Sequence, residues 1–222
     1  MRAFAERGMN IGCGYRTGRE QAEELARENG ENVIPMYYDL CDADSAVGAL
    51  KVVADSWGRL DSLVVSASIW KGGKLGQMPP DDWWSVVEAN VGGMSQIARA
   101  ALPLLRLGDS PSIVLVSSVV GIIGFPGDTA YATSKSAMFG FARSLAKEVG
   151  RDGIRVNVIA PGFVDTAMTA EIPAESKRVI QSQAILGRSG TAEEIADAIV
   201  FMSEVATFCT GTILTVDGGW SI

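Results

Sequence analysis

Tyr131 and Lys135 stand four residues apart in the segment AYATSKSAMFGF. On a helix that spacing places both side chains on one face, within mutual reach. An ammonium beside a phenol favours the phenolate, drawing tyrosine from its ordinary value of about 10 toward working pH and making the hydroxyl a usable proton donor or acceptor. A YxxxK pair alone recurs by chance in many helices, so its context decides. Upstream, the apolar segment Ile113–Ser118 ends in paired serines followed by Gly121. Ser118 can therefore emerge at the carboxyl end of a strand, the edge where α/β sheets hold ligands.

Composition narrows the remaining chemistry. The chain has 222 residues, 47% of them hydrophobic and 20% charged, with 25 glycines, which suits one globular domain over residues 1–222. It has no histidine, so a Ser-His-Asp hydrolase is excluded and any proton must move through another group. A net charge of −7 repels a polyanion and argues against nucleic acid as a partner. Long apolar runs and the charged-then-apolar order of a secretory signal are both missing, which points to no membrane partner and a cytoplasmic protein. Cys13, Cys41 and Cys209 are odd in number, far apart and without CxxC spacing, so they are expected to be buried, reduced thiols.

The elements that must position Ser118, Tyr131 and Lys135 follow from the hydrophobic pattern. Short apolar runs alternate with longer amphipathic stretches, the mark of βαβ units in a doubly wound α/β fold with a parallel sheet and helices on both faces. Strands are expected at Met9–Gly14, Val33–Asp39, Ser62–Ser66, Ser112–Ser117, Arg155–Ala160 and Thr212–Asp217. Helices are expected at Arg19–Asn29, Ser45–Trp57, Asp82–Leu105, Ala132–Val149 and Ala192–Val205, the last opened by a capping box from Thr191 to Glu194. An irregular excursion from Asp165 to Gly190, with Pro173 inside it, is placed to cover a site as a substrate lid.

Taken in order, VLVSSVVG, AYATSKSA, IRVNVIAPGFVDTAMT and TGTILTVDGG resemble the short-chain dehydrogenase/reductase family over essentially the whole chain. The resemblance implies a Rossmann-like fold and an oxidoreductase that interconverts a carbonyl and an alcohol. It makes Tyr131 the general acid/base, Lys135 its electrostatic partner and a holder of the nicotinamide ribose, and Ser118 the group that orients the carbonyl. Asn90, in EANVGG, completes the family's catalytic set. It also implies cofactor contacts at Asp39, Leu40, Ser66, Ala67, Pro161, Gly162, Val164 and Thr166, besides Tyr131 and Lys135. Where NAD-dependent members usually carry a carboxylate, this chain has Gly14-Tyr15-Arg16-Thr17. Arg16 could fork onto a 2′-phosphate and Thr17 add a hydroxyl, so NADP(H) is expected over NAD(H), with a solvated surface arginine as the alternative.

The chain departs from the family pattern at two places. The family's opening strand and TGxxxGxG loop have no counterpart, and residues 1–8 match the end of the family's first helix. The expectation is a domain lacking a central strand and the loop that cradles the pyrophosphate. Gly8, Gly12 and Gly14 do satisfy GxxxGxG, but the preceding RAFAER is too polar for a buried central strand. The second departure is Val65-Ser66-Ala67-Ser68, where the family commonly reads Asn-Asn-Ala-Gly.

Among relatives the likeness is to 3-oxoacyl-carrier-protein reductases, so the substrate is expected to be a small carbonyl or alcohol or an acyl thioester. Against an acidic carrier protein, the loop RLGDSPS offers only Arg106 against Asp109. Trp70, Trp83 and Trp84 either line a substrate mouth or serve as ordinary exposed or core aromatics. A homo-dimer or homo-tetramer is implied through the helices at Asp82–Leu105 and Ala132–Val149. The competing expectation is a fold without dinucleotide binding, acting as a noncatalytic subunit or a remnant.

Overall fold

A buried layer of parallel strands carries the catalytic candidates, and its residues are almost all β-branched or aliphatic. The computed structural model describes residues 1–30, 32–170 and 172–222. In chain order the elements begin with a short helix α1 (Arg2–Ala5), strand β1 (Ile11–Tyr15), helix α2 (Arg19–Asn29) and strand β2 (Val33–Tyr37). Helix α3 (Ala43–Trp57), strand β3 (Ser62–Val65), helix α4 (Pro80–Val87) and helix α5 (Met94–Leu105) follow. Next come strand β4 (Ser112–Val116), helix α6 (Val120–Ile123), helix α7 (Thr129–Val149) and strand β5 (Arg155–Pro161). Helices α8 (Ala174–Gln181) and α9 (Ala192–Val200) and strand β6 (Ile213–Val216) complete the order.

Every strand pairing is parallel, and the described strands form two sheets, β1-β2 and β3-β4-β5-β6. Among the described residues β1 and β3 each have a ladder partner on one side only, at the place where the family pattern has a further strand. Gly12 and Gly14 lie inside β1 and RAFA is helical, which agrees with rejecting these glycines as a phosphate loop. The two sheets share a core through the helices of one face. Ala46 and Leu50 of α3 pack in one cluster with Met94, Ile97 and Ala98 of α5, Val65 of β3 and the half-buried Tyr38 beyond β2. Tyr38 also donates from its hydroxyl to the Gly93 carbonyl at 3.1 Å. A Cβ on Gly93 would lie 2.5 Å from the Leu40 carbonyl, so only glycine allows the two turns to approach this closely.

Local sequence explains the main helices. Asp42 caps α3 by accepting from the Asp44 and Ser45 amides, and Gly58 ends it in the left-handed region. In α7 the buried side chains Ala130, Ser134, Lys135, Met138, Ala142, Leu145 and Val149 recur at helical spacing and face the sheet. The capping box of α9 forms as expected, with Glu194 also bound by the Arg188 guanidinium.

Some expectations need correction. The single helix expected over Asp82–Leu105 is two α-helices joined by a π-helical turn at Glu88–Gly93, and a second such turn, Phe201–Val205, follows α9. Apolar periodicity continues through both, so the pattern alone does not reveal a widened turn. The three cysteines are free, but Cys41, in a turn, is exposed and the other two are half-buried, because Cys13 lies on the thinly covered two-stranded sheet and Cys209 at the margin of a core cluster. In the 165–190 excursion the chain forms a short 3-10 turn and then α8; Glu171 lies outside the described residues.

Candidate active site

Four parallel strands deliver their carboxyl ends to one edge, and the residues singled out from sequence gather there. Ser118 follows β4 by two residues and is buried. Asn90 lies in the π-helical turn after α4 and is fully buried, while Tyr131 and Lys135 sit in the first two turns of α7. The hydroxyls of Ser118 and Ser68 stand near the Tyr131 phenol and favour its charged form. The Lys135 ammonium lies 5.4 Å from the Tyr131 ring centroid and donates to the Val116 carbonyl at 2.9 Å.

Each of these side chains is held from behind. The Ser117 hydroxyl donates to the Lys135 carbonyl at 2.8 Å, tying the end of β4 to α7. Ser118 Oγ accepts from the Val120 amide at 3.2 Å. An added Cβ on Gly121 would lie 2.9 Å from backbone atoms of Lys135 and Ser136, so glycine lets α6 seat directly on α7. Asn90 is a fastener: its Oδ1 accepts from the Ile69 amide at 2.8 Å, and its Nδ2 donates to the Ile69 carbonyl at 2.9 Å and to Ser134 Oγ at 3.0 Å. In these contacts Asn90 positions the chain after β3, with no bond to the phenol.

The electrostatics correct one expectation. Burial pushes the Tyr131 phenol up to about 12, with the Asp128 carboxylate pushing the same way and the nearby Ser68 and Ser118 hydroxyls opposing. Burial draws the Lys135 ammonium down to about 8. Desolvation is the largest cause, and the anticipated lowering by the lysine is not among those acting on the phenol. A protonated phenol at neutral pH is the form that gives a proton to a developing alkoxide, and Ser118 stands beside it to bind the same oxygen.

The expected cofactor contacts divide between the two sheets. Ser66 and Ala67 are exposed beyond β3, and Pro161, Gly162 and Val164 are half-buried at the end of β5. Val164 bridges to Gly190, and the Thr166 amide donates to Thr169 Oγ1 at 3.0 Å, which fixes the turn after β5. Beyond the smaller sheet, Arg16 and Thr17 are exposed after β1, and Arg16 makes no ion pair among the described residues. Asp39 follows β2 and accepts from the Cys41 amide at 2.9 Å, with Leu40 buried beside it.

Three polar residues of the site went unseen in the sequence as participants. Ser68 was visible only as a serine in a glycine position. Asp128 accepts the Trp70 indole N–H at 2.9 Å, and its carboxyl is raised by burial despite that bond. Ser134 donates to the Tyr131 carbonyl at 2.8 Å. Position three before the tyrosine was a usable signal for Asp128; Ser134 carried none. Trp83 likewise uses its indole N–H, on Thr129 Oγ1 at 3.1 Å, while Trp84 is largely exposed.

Comparison with known proteins agrees with this geometry. The family model described as enoyl-(acyl carrier protein) reductase matches residues 1–221. A 3-oxoacyl-[acyl-carrier-protein] reductase of Chlamydia muridarum is 36% identical over 220 residues, covering 97% of this chain and 89% of the relative. The corresponding protein of Thermotoga maritima is 35% identical over the same shares. The crystal structure of a short-chain dehydrogenase/reductase, glucose/ribitol dehydrogenase, from Brucella melitensis superposes with a TM-score of 0.93 at 29% identity, covering all of this chain and 90% of that one. With a serine, a tyrosine and a lysine converging at the carboxyl edge of a parallel sheet, and with these matches over nearly its whole length, the chain belongs to the short-chain dehydrogenase/reductase family of oxidoreductases.

Proposed function

We propose that the protein is an NADP(H)-dependent oxidoreductase that interconverts a carbonyl and an alcohol. The observation that carries this reading is the convergence at the strand ends of Ser118, just after β4, with the Tyr131 phenol and the Lys135 ammonium 5.4 Å from its ring. In this reading Ser118 binds the carbonyl oxygen, and Tyr131 gives it a proton as the carbon is reduced. Lys135 then faces a phenolate, and an ammonium buried nearby stabilises that charge. A bound nicotinamide would supply the hydride.

The residues present fit a dinucleotide. Ser66 and Ala67 are small and exposed at the end of β3, leaving room for a flat ring. Arg16, exposed beyond β1 and free of ion pairs among the described residues, suits a 2′-phosphate. Asp39 and Leu40 lie at the end of the neighbouring strand, where an adenine would pass.

The likeness to 3-oxoacyl-[acyl-carrier-protein] reductases makes a 3-oxoacyl thioester the first substrate to try. Arg106 is engaged by Asp152 at 2.7 Å, so the loop before β4 offers an acidic carrier protein no spare cation there. A small thioester or simple carbonyl is therefore preferred over the carrier-bound form. Assembly into a dimer or tetramer through α4–α5 and α7 belongs to the same reading.

The test is a fluorescence titration with NADPH and, separately, NADH, with Arg16→Ala as control. Saturable NADPH binding that weakens in Arg16→Ala while NADH binding does not would support the proposal. A folded protein that binds neither dinucleotide would overturn it.

A further inference from the structure

The segments that leave the carboxyl ends of three neighbouring strands each carry a large apolar side chain in solvent. Trp70 follows β3, Ile122 and Ile123 end α6 after β4, and Met168 follows β5. Trp70 is the largest of them and is 49% exposed. A tryptophan on a loose loop would fold its ring against the surface or turn freely, but this one is held. The residue before it, Ile69, is gripped through its amide and its carbonyl by the fully buried Asn90. Beyond it the Gly73 amide donates to the Gly127 carbonyl at 2.8 Å. Its indole N–H donates at 2.9 Å to Asp128, the residue that opens α7. The Gly72 backbone lies against the six-membered part of the ring, where an added Cβ would stand 2.6 Å from Cζ2.

These contacts decide what the ring can offer. With its only polar atom engaged by a carboxylate, the indole presents carbon alone, a flat apolar surface fixed beside the turn of α7 that bears Tyr131. Trp83 is hooked by its own N–H to Thr129, the next residue after Asp128, so two indoles are pinned at the start of the same helix. Lys71, next in the chain after Trp70, is turned to Asp82 at 2.7 Å. We propose that Trp70 is a specificity-determining residue: its exposed face receives the flat, apolar body of a substrate whose carbonyl lies at Ser118 and Tyr131. The proposal rests on the carbonyl–alcohol reading of that site and adds the class of compound, one bearing an aryl or similar apolar ring on a short chain from the reacting carbon. Covering the indole with such a ring gains both buried area and an aromatic contact, whereas a short polar carbonyl compound leaves it wet.

The experiment compares ethyl 3-oxobutanoate with ethyl 3-oxo-5-phenylpentanoate, which share the reacting group, on wild type, Trp70→Ala and Trp70→Phe, with circular dichroism confirming the fold. Wild type should reduce the phenyl ester with a kcat/KM about tenfold above that of the short ester, the difference residing in KM. Trp70→Ala should remove most of that ratio, and Trp70→Phe, which keeps a flat face, should restore it. A merely structural role for Trp70 would lower both substrates alike and leave the ratio unchanged. Both esters are also titrated by calorimetry with NADP⁺ present, so that binding is read apart from turnover. If neither ester is reduced, the proposed activity falls, while a preference for the phenyl ester in binding that Trp70→Ala removes still supports the assignment. Equal binding of the two esters, binding of neither, a preference that Trp70→Ala leaves intact, or a loss that phenylalanine does not rescue would overturn it.

Discussion

The two sheets of this protein are built to different standards. In the four-stranded sheet, Ile113, Val114 and Leu115 of β4 and Val156, Val158 and Ile159 of β5 are fully buried. In the two-stranded sheet, β1 has no buried residue and β2 has only Val33, itself 6% exposed. The groups proposed for proton transfer gather at the larger sheet, and Arg16, Thr17 and Asp39 at the smaller. The difference teaches that the chemistry is preorganised by burial, whereas the groups expected to read the cofactor's far end stand on a less supported surface. Stiff packing fixes donors and acceptors in place, and the phenol and ammonium of the larger sheet are shifted accordingly.

The largest expected effect lies in the larger sheet. Tyr131→Phe should lower carbonyl reduction by about 10²–10⁴-fold, the range for a lost general acid, with dinucleotide affinity and thermal midpoint little changed. A steady-state assay beside calorimetry checks this, and residual activity near wild type would break the assignment of chemistry to this sheet.

Next comes the buried arginine that ties β5 to the end of α9. Arg155 donates to the carbonyls of Met202 and Ala206 at 2.7 and 3.2 Å and to that of Ser203. Arg155→Met leaves these carbonyls with fewer donors, and we expect a loss of about 3 kcal/mol in urea unfolding.

Lys135 gives the larger sheet a pH signature of similar size. Its folded value of about 8 lies below the ordinary 10.5, so between these values the unfolded chain binds more protons than the native one. Stability from this group therefore rises with pH from about 8, by up to about 2–3 kcal/mol at pH 10, before the raised tyrosines begin to act oppositely. Denaturant titrations across this window should show the rise in wild type and its loss in Lys135→Met.

The smallest effect sharpens the contrast from the other side. Arg16→Ala should weaken NADPH binding about tenfold, the loss of one charge-assisted bond, without changing the thermal midpoint by more than about 0.5 kcal/mol equivalent. An equal loss for NADH would show that Arg16 supports the smaller sheet rather than reading a phosphate.

Much of this was legible because the relevant signals are local. The apolar runs around Ile113–Val116 and Arg155–Ala160 end where the strands end, and the core face of α7 follows from spacing alone. Tyr131, Lys135 and Ser118 carried their own spacing and arrived at one edge. The rest depended on distant partners. Asn90 fastens the backbone after β3 from 21 residues away, and the phenol's raised value follows from burial that no local pattern records. The π-helical turns escaped notice because Ala89, Asn90 and Gly93 keep an inward face across the widened turn.

The divided sheet has a consequence for how the molecule opens. No ladder links β1 to β3 among the described residues, so the sheets are joined through helices: α3 with α5, α1 with α9 beside the Arg7–Glu204 ion pair, and the Tyr38–Gly93 contact. Amides of β1 and β2 can then exchange with solvent through a partial opening that spares β4 and β5. Two tiers of protection are the expected outcome of a hydrogen-exchange measurement, and a ligand spanning both sheets would fuse them into one.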